Sequence, residues 1–182
     1  MQVMKGRIHY GLRILFLHEF RYLNIMINWI AKGLLIIMKK IKIMFGQGDE
    51  LIAVLNEKEA PTTASLVWDS LPYESEVTQS RWSGREVNFK AKLHSLPPRE
   101  NQTIYTSIGE VCYWRDWRLE EGGKPGHVIA IYYGAETTRS HMGEEPVNVF
   151  GQVENTQFEE MKKIGERIWL GGLEKIRIER VH

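Results

Sequence analysis

The most informative segment of the chain is Pro146-Val-Asn-Val-Phe-Gly-Gln-Val-Glu-Asn-Thr-Gln-Phe-Glu-Glu-Met-Lys-Lys-Ile164. Its first half is rich in β-branched and aromatic residues, which predicts a buried strand. Thr156 and Glu159 then have the spacing of a capping box, and apolar residues follow at helical spacing. Gly165 stands where a residue in the left-handed conformation ends many helices. The stretch therefore predicts a strand, a short polar turn and a helix that ends at Gly165.

A second stretch, residues 51–71, repeats this order of a strand followed by a helix. Pro61 suits the first turn of a helix, where the N–H group that proline lacks has no partner within the helix. Leu71 precedes Pro72, and a residue before proline avoids the helical conformation. We therefore expect a short helix that begins at Pro61 and stops at Leu71.

Alternating apolar and polar residues fill much of the remaining chain from Lys39 onward. The pattern predicts strands at residues 39–45, 51–55, 76–82, 85–93, 109–114, 127–133, 147–153 and 173–181. Two short helices are too few for a parallel α/β sheet, whereas eight strands close into a barrel whose interior the side chains fill. We predict a mainly β fold, a closed β-barrel of about eight strands with two short helices.

Both stretches are similar to segments of the cyclophilins, in which a strand runs into an A-P-x-T helix start and a V-x-F-G-x-V strand precedes another helix. A narrower resemblance is carried by Arg81-Trp-Ser-Gly-Arg-Glu-Val-Asn-Phe89, with support from residues 100–101, 109–113, 139–140 and 146–148. These segments resemble an uncharacterised prokaryotic family, a domain of unknown function with a cyclophilin-like barrel. The resemblance covers about residues 39–181 and implies a cyclophilin-like fold, but it implies no particular function.

The chain departs from the cyclophilin isomerases at the segments on which their activity depends. After the first helix it reads Glu74-Ser-Glu-Val-Thr-Gln-Ser80, without the F-H-R motif whose arginine reaches the twisted amide. The strand that corresponds to the Q-F-F strand of the proline pocket reads Ile129-Ala-Ile-Tyr-Tyr133. We therefore do not expect peptidyl-prolyl isomerase activity, and a divergent isomerase is the weakest of the functional hypotheses.

The composition is that of one soluble domain, with 43% of the 182 residues hydrophobic and 26% charged. The net charge of +1 gives no reason to expect a nucleic-acid partner. Cys112 is the only cysteine, which excludes an intramolecular disulfide and favours the reducing cytoplasm. The six histidines form no pair with metal-ligand spacing, so we expect no metal and no cofactor.

Residues 1–38 differ from the rest and predict a domain boundary near residue 38, followed by one domain over residues 39–182. Residues 1–40 carry a net charge of +6, and the remainder carries −5. Three interpretations are open: an upstream start outside the native domain, a basic amphipathic helix that packs on a partner or membrane surface, and a membrane anchor. The apolar stretch from Tyr22 to Met38 is short for a spanning helix, which favours the first.

Basic and aromatic residues from separate segments form the candidate ligand site. If the resemblance holds, they gather at one mouth of the barrel. Guanidinium groups suit carboxylates and phosphates, and indole rings suit planar groups, so the site predicts a small anionic molecule or a peptide as ligand. In the opposing interpretation the arginines point into solvent and the tryptophans belong to the core. The candidates are Arg81, Trp82, Arg85, Tyr113, Trp114, Arg139 and Asn148.

An enzyme that uses the same pocket is the alternative to a binding module, with Glu86, His141 or Tyr113 as acid or base. No catalytic residue is assigned, and a homo-oligomer stays open. Arg85 follows the turn at Ser83-Gly84 and shares its parity with the inward Val87 and Phe89, so we expect it inside the barrel's end. Its acidic partner would be Glu86, Glu76 or a bound anion.

Overall fold

The computed structural model of the chain describes residues 38–118 and 126–181. The predictions for the first 37 residues lie outside the described part, and the domain boundary near residue 38 stays a prediction. Within the two described ranges no helix has the length and hydropathy needed to cross a lipid bilayer.

The described residues form thirteen β-strands, five of which are only two residues long. They are β1 (Lys40–Phe45), β2 (Glu50–Leu55), β3 (Tyr73–Thr78), β4 (Glu86–Lys90), β5 (Gln102–Thr103), β6 (Tyr105–Thr106), β7 (Glu110–Arg115), β8 (His127–Tyr132), β9 (Glu136–Thr137), β10 (Arg139–Ser140), β11 (Gly143–Glu144), β12 (Val147–Val153) and β13 (Glu174–Val181). Nine of them form one antiparallel sheet in the order β2-β1-β13-β3-β4-β8-β7-β12-β5, in which the first eight form the barrel and the two-residue β5 pairs with β12. Because β12 also pairs with β2, the sheet closes on itself. The predicted closed barrel with mainly β structure is confirmed.

The barrel is filled because alternate side chains of each strand point inward. In β1 the buried residues are Ile41, Ile43 and Phe45, and in β13 they are Ile176 and Ile178. Aliphatic and aromatic side chains from the other barrel strands complete one continuous core. The period-two pattern in the sequence therefore located most of this core correctly.

Within residues 38–118 and 126–181, two α-helices pack against the barrel: α1 (Pro61–Ser70), with Pro61 in its first turn, and α2 (Phe158–Gly171). The carboxylate of Glu100 accepts hydrogen bonds from the first free N–H groups of α1, those of Thr62 at 3.1 Å and Thr63 at 2.8 Å. A 3₁₀ turn, Asn155–Gln157, leads into α2. The two predicted short helices are confirmed.

Two details predicted for α2 are wrong. The capping box does not form, because the helix begins at Phe158 with Gln157 as its N-cap, one residue later than a box at Thr156 requires, and no side chain caps it. The side-chain oxygen of Gln157 instead accepts a hydrogen bond from the Ile52 N–H at 2.7 Å, which ties the helix start to β2. Gly165 lies inside the helix and not at its end. A methyl group at this position would stand 2.3 Å from the ring of Tyr133. The glycine is therefore a packing residue.

The connection between β3 and β4 is longer than predicted. β3 ends at Thr78, four residues before the predicted end, and β4 begins at Glu86. The predicted tight turn at Ser83-Gly84 is wrong, because residues 79–85 all lie outside the pairing of β3 with β4. The connection from β8 to β12, in which no strand is predicted, contains three short strands, β9, β10 and β11. These two connections, residues 79–85 and 133–146, cover part of the outside of the barrel.

Candidate functional site

The outer face of β4 and β8 is buried, although it points away from the barrel interior. Glu86 and Asn88 alternate with the inward Val87 and Phe89, yet they are only 1% and 9% exposed. Across the ladder Glu86 faces Tyr132 of β8. A second, smaller hydrophobic cluster on this side, separate from the main core, consists of Cys112, Ala130, Tyr132 and Val147. The burial comes from the connections that pass over the sheet.

Between this face and the connections lies a cavity of about 230 Å³, which we call the outer-face cavity. Its floor is formed by β4 and β8, with Glu86, Asn88 and Tyr132 among the lining residues. Its rim comes from two connections, residues 80–83 before β4 and residues 139–145 around the β10–β11 hairpin. Aliphatic side chains and the ring of Trp114 complete the wall.

Glu86 is held in the floor by hydrogen bonds to only one of its oxygens. Oε1 accepts a hydrogen bond from the Asn88 side-chain amide at 2.8 Å and makes a close contact with the Ser83 hydroxyl. Oε2 is buried and has no hydrogen-bond partner among the described residues. The backbone of Ser80 approaches the carboxyl group, but no hydrogen bond of ordinary geometry reaches Oε2. The cavity floor thus offers an acceptor with unused capacity.

Burial raises the pKa of Glu86 from 4.5 to about 7, because the charged form loses its hydration and no cation within the described residues replaces it. The hydrogen bonds from Ser83 and Asn88, and the Ser80 backbone, lower the pKa but only in part offset this effect. A carboxyl group with this pKa exchanges its proton near neutral pH. It is therefore chemically suited to acid–base work as well as to binding.

The rim combines aromatic rings with charged groups. The Trp114 indole N–H donates to the Glu145 carboxylate at 2.9 Å, which fixes the orientation of the ring. Trp82 lines the opposite part of the rim and is 59% exposed. Arg139 and His141 are both exposed residues of the rim hairpin, and the Arg139 Nε–H donates to the carbonyl of Thr137 at 3.3 Å.

The rim hairpin is anchored at its base by Thr138, whose side chain is buried. The Thr138 hydroxyl donates to the Glu145 carbonyl at 2.5 Å and lies 3.3 Å from the Ile104 carbonyl. Its N–H donates to the same Ile104 carbonyl at 2.8 Å. β10 and β11 then pair through Arg139 with Glu144. The position of Arg139 and His141 over the cavity therefore depends on this anchor.

Three of the seven predicted ligand-site residues line the outer-face cavity: Trp82, Trp114 and Arg139. The structure places the other four elsewhere. Arg85 is not on the inward face: it precedes β4, its side chain is 62% exposed, and its partner is Glu136 at 2.6 Å, neither Glu86 nor Glu76. The one-residue difference in where β4 begins, together with the long connection before it, accounts for the error.

Arg81, Tyr113 and Asn148 also lie away from the outer-face cavity. Arg81 is exposed and donates to the backbone carbonyl of Trp169 at 3.4 Å. Tyr113 points into the barrel, as its alternation with Trp114 requires. Asn148 is fully buried and donates to the Pro98 carbonyl at 2.7 Å. These residues stabilise the fold around the site, and their ligand-binding role stays a prediction without geometric support.

Glu86 and His141, named in the enzyme hypothesis, do line the cavity, whereas Tyr113 does not. Ser83, Asn88 and Tyr132 were missed. The alternation along β4 places Glu86 and Asn88 on the outside of the barrel, and polar residues there normally contact solvent. Their burial depends on two distant connections, for which the sequence carries no readable pattern.

A comparison with protein-family models matches residues 44–179 to DUF3830, described as a protein of unknown function. The chain belongs to this family. The predicted membership of an uncharacterised family with a barrel fold is thereby confirmed. The further likeness to cyclophilins is not confirmed by the matches and stays a prediction. No curated protein matches this DUF3830 chain.

Two solved structures resemble the DUF3830 barrel. One is described as McbB in complex with tryptophan, with a TM-score of 0.58 and 19% identity; the match covers 76% of this chain and 44% of that one. The other is the solution structure of the hypothetical protein AF2241 from Archaeoglobus fulgidus, with a TM-score of 0.52, 22% identity and coverage of 80% and 96%. The chain spans less than half of the McbB chain. At these identities the likeness shows a shared fold.

Proposed function

We propose that this DUF3830 protein binds a small molecule with an acidic group in the outer-face cavity. The observation that supports the proposal is a partly open cavity of about 230 Å³, with Glu86, whose Oε2 is buried without a hydrogen-bond partner among the described residues, in its floor. Drug-sized ligands occupy cavities of roughly 300–1,000 Å³, so the ligand would be smaller, of metabolite size or one residue of a peptide. Aromatic walls with a few polar groups are typical of such sites.

Arg139 is the residue that favours an acidic ligand. Its Nε is engaged by the Thr137 carbonyl, which leaves the two terminal nitrogens to receive a carboxylate or phosphate. Arg81 and Arg85 lie outside the cavity, so the anion would be bound by one arginine and not by three. His141, on the same hairpin of the rim, can provide a second N–H donor.

The McbB structure offers a further reason to test amino acids and related compounds. That protein is described in complex with tryptophan, an aromatic zwitterion of a size that suits a small cavity. The likeness between the two chains is one of fold alone, so this comparison guides the choice of probe and does not identify the ligand.

Thermal shift measurements with small aromatic carboxylates test the proposal, with 3-phenylpropionate as the first probe. A ligand present at 100 times its dissociation constant stabilises a protein by ~2.7 kcal/mol, a rise of roughly 5–10 °C in Tm for a chain of this size. We expect Arg139→Ala to weaken the shift and Arg177→Ala to leave it unchanged. Arg177 is an exposed arginine of β13 that does not line the outer-face cavity. Equal shifts in the two variants would contradict the proposal.

An enzyme is the second candidate, and one observation favours it: Glu86 is a buried carboxyl group with a pKa of about 7 in a cavity. Such a group can give up or take a proton at neutral pH, which an ordinary glutamate does inefficiently. The carbon-13 chemical shift of the Glu86 carboxyl group, followed by NMR against pH, measures this directly. A midpoint near 4.5 would remove the reason to expect acid–base chemistry.

A further inference from the structure

The two oxygens of Glu86 face different surroundings, and this difference specifies part of the ligand. Oε1 is held by Asn88 and Ser83, whereas Oε2 is buried without a partner among the described residues. Buried polar atoms are nearly always satisfied, because an unmade hydrogen bond costs stability. Glu86 lines the outer-face cavity, so a hydrogen-bond donor on a ligand bound there is a candidate partner for Oε2.

The heavy-atom contacts of Ser83 indicate which oxygen of Glu86 carries the proton when the group is neutral. The Ser83 hydroxyl is 2.6 Å from the Ser80 carbonyl and also in close contact with Glu86 Oε1. A hydroxyl group carries one hydrogen, and a carbonyl only accepts. Both contacts are satisfied when Ser83 donates to Ser80 and a protonated Glu86 donates from Oε1 to Ser83. Oε1 still accepts the Asn88 hydrogen bond in this arrangement.

Oε2 is consequently an acceptor in both protonation states. In the protonated form it is the carbonyl oxygen of the acid, because the proton lies on Oε1 toward Ser83. In the ionised form it is a carboxylate oxygen and binds a cationic donor more strongly. The floor of the cavity thus calls for a hydrogen-bond donor, such as an ammonium, amine or amide N–H.

We propose, building on the function proposed above, that the ligand carries a nitrogen donor for Glu86 Oε2 together with an acidic group for Arg139, which is the chemistry of an amino acid or a small zwitterion like it. Glu86 in the floor provides the hydrogen-bond acceptor, and Arg139 on the rim of the same cavity provides the cation. Between them the wall contains Trp114, Val128, Ala130 and Val147, which suits an apolar or aromatic body.

Three matched probes test the two requirements separately. L-Phenylalanine has both groups, 3-phenylpropionate lacks the amino group, and 2-phenylethylamine lacks the carboxylate. Calorimetry or thermal shift with the full chain is expected to show phenylalanine binding at least tenfold more tightly than either of the others. A charge-assisted hydrogen bond contributes about this much or more. Equal binding of phenylalanine and 3-phenylpropionate would overturn the proposal and leave the binding of acidic ligands intact.

Two variants assign the requirements to residues. Glu86→Gln is expected to reduce the preference for phenylalanine over 3-phenylpropionate, because the amide lacks the charge that attracts an ammonium group. Arg139→Ala is expected to weaken the binding of phenylalanine and of 3-phenylpropionate by the same factor, so the preference for phenylalanine is preserved. An unchanged preference in Glu86→Gln would also overturn the assignment. If none of the three probes shifts the protein, both this inference and the proposed function fail.

The wild-type protein provides a second measurement that does not depend on a variant. The preference for phenylalanine is expected to rise from about pH 5 to about pH 8, as Glu86 ionises while the ammonium group keeps its charge. Arg139, His141 and Glu145 on the rim act on the carboxylate group of both ligands, and this part of their effect cancels in the ratio. Tyr132 of β8 and Cys112 of β7 stay neutral in this range, since burial raises the pKa of both. A ratio that does not change with pH would contradict the role of Glu86.

Discussion

Glu86 is a carboxyl group that the folded chain buries without an ion-pair partner among the described residues. The side chains of Asn88 and Ser83 contact one of its oxygens, and the other is buried with no hydrogen-bond partner in the described part of the chain. Such an arrangement costs stability whenever the group is charged. A buried ionisable group with a raised pKa at a cavity is typical of a functional site, and Glu86 therefore supports both functional proposals.

The first prediction is that Glu86 makes the protein less stable as the pH rises. Its pKa is about 7 in the folded chain and 4.5 for an ordinary glutamate. Between these values the folded state holds more protons than the unfolded state, so stability falls with increasing pH. The difference corresponds to ~3 kcal/mol in the free energy of unfolding. We expect Glu86→Gln to gain about that much relative to wild type between pH 4 and pH 8.

Urea denaturation at several pH values measures this gain, with Glu144→Gln as the control. Glu144 is an exposed glutamate of the rim hairpin, so its replacement removes one charge without removing a buried one. His141 and Glu145 remain in both variants and act equally on each. Parallel curves for wild type and Glu86→Gln over the whole range would show that the carboxyl group is not destabilised by burial.

For a single residue, the sequence predicts which side of the barrel its side chain faces but not whether other parts of the chain cover that side. Val87 and Phe89 were placed inward correctly, and the same period puts Glu86 outward. Arg85 was misplaced, because the period was extended one residue beyond the start of β4. The covering connections contain no periodic pattern, so the burial of Glu86 followed only from the fold.

At the scale of elements, the rim hairpin is a short pair of strands that depends on one buried threonine. The Thr138 hydroxyl and N–H connect the hairpin base to the carbonyls of Glu145 and Ile104. We expect Thr138→Val to destabilise the protein by roughly 1–3 kcal/mol, because the Glu145 carbonyl loses its buried donor. It should also weaken ligand binding, since Arg139 and His141 lose their support. Thr137→Val, measured alongside by urea denaturation, should change stability by less than about 0.5 kcal/mol.

Helix α2 provides the clearest test of a predicted element end. Gly165 was expected to end the helix, and the structure instead packs it against the Tyr133 ring. We expect Gly165→Ala to cost roughly 1–3 kcal/mol, because Tyr133 is itself buried and the added methyl group overpacks the contact. Gly171→Ala in the same helix has open space around it and should be neutral or slightly stabilising. A Gly165→Ala variant as stable as Gly171→Ala would show that the contact can relax.

The order of strands and helices was predicted well because it follows from local patterns. Period two and helical spacing gave all eight barrel strands and both helices. The ends of two elements differ from the prediction, since β3 stops at Thr78 and α2 continues to Gly171. Both differences arise from tertiary contacts. β3 ends early because the chain leaves the sheet to form the connection over the cavity, and α2 continues past Gly165 because that glycine packs against Tyr133.

At the scale of the whole molecule, closure of the barrel explains why its strands need no partner from elsewhere. β1 pairs with β2 on one side and with β13 on the other, and the pairing of β12 with β2 closes the circle. A closed barrel has no free edge in its sheet. All eight strands lie between Lys40 and Val181, and the family match lies within the same range.

From this closure we predict that a chain beginning at Met38 folds as stably as the full chain. Its Tm should lie within about 4 °C of the full chain, the change that ~1 kcal/mol produces at this size. A chain beginning at Asp49 is the control: it lacks β1, opens the barrel between β2 and β13, and removes the buried Ile41, Ile43 and Phe45, so we expect it not to fold. Differential scanning calorimetry compares the three. A fall of roughly 10 °C or more for the chain beginning at Met38 would mean that residues 1–37 add several kcal/mol, and the domain boundary near residue 38 would then be wrong.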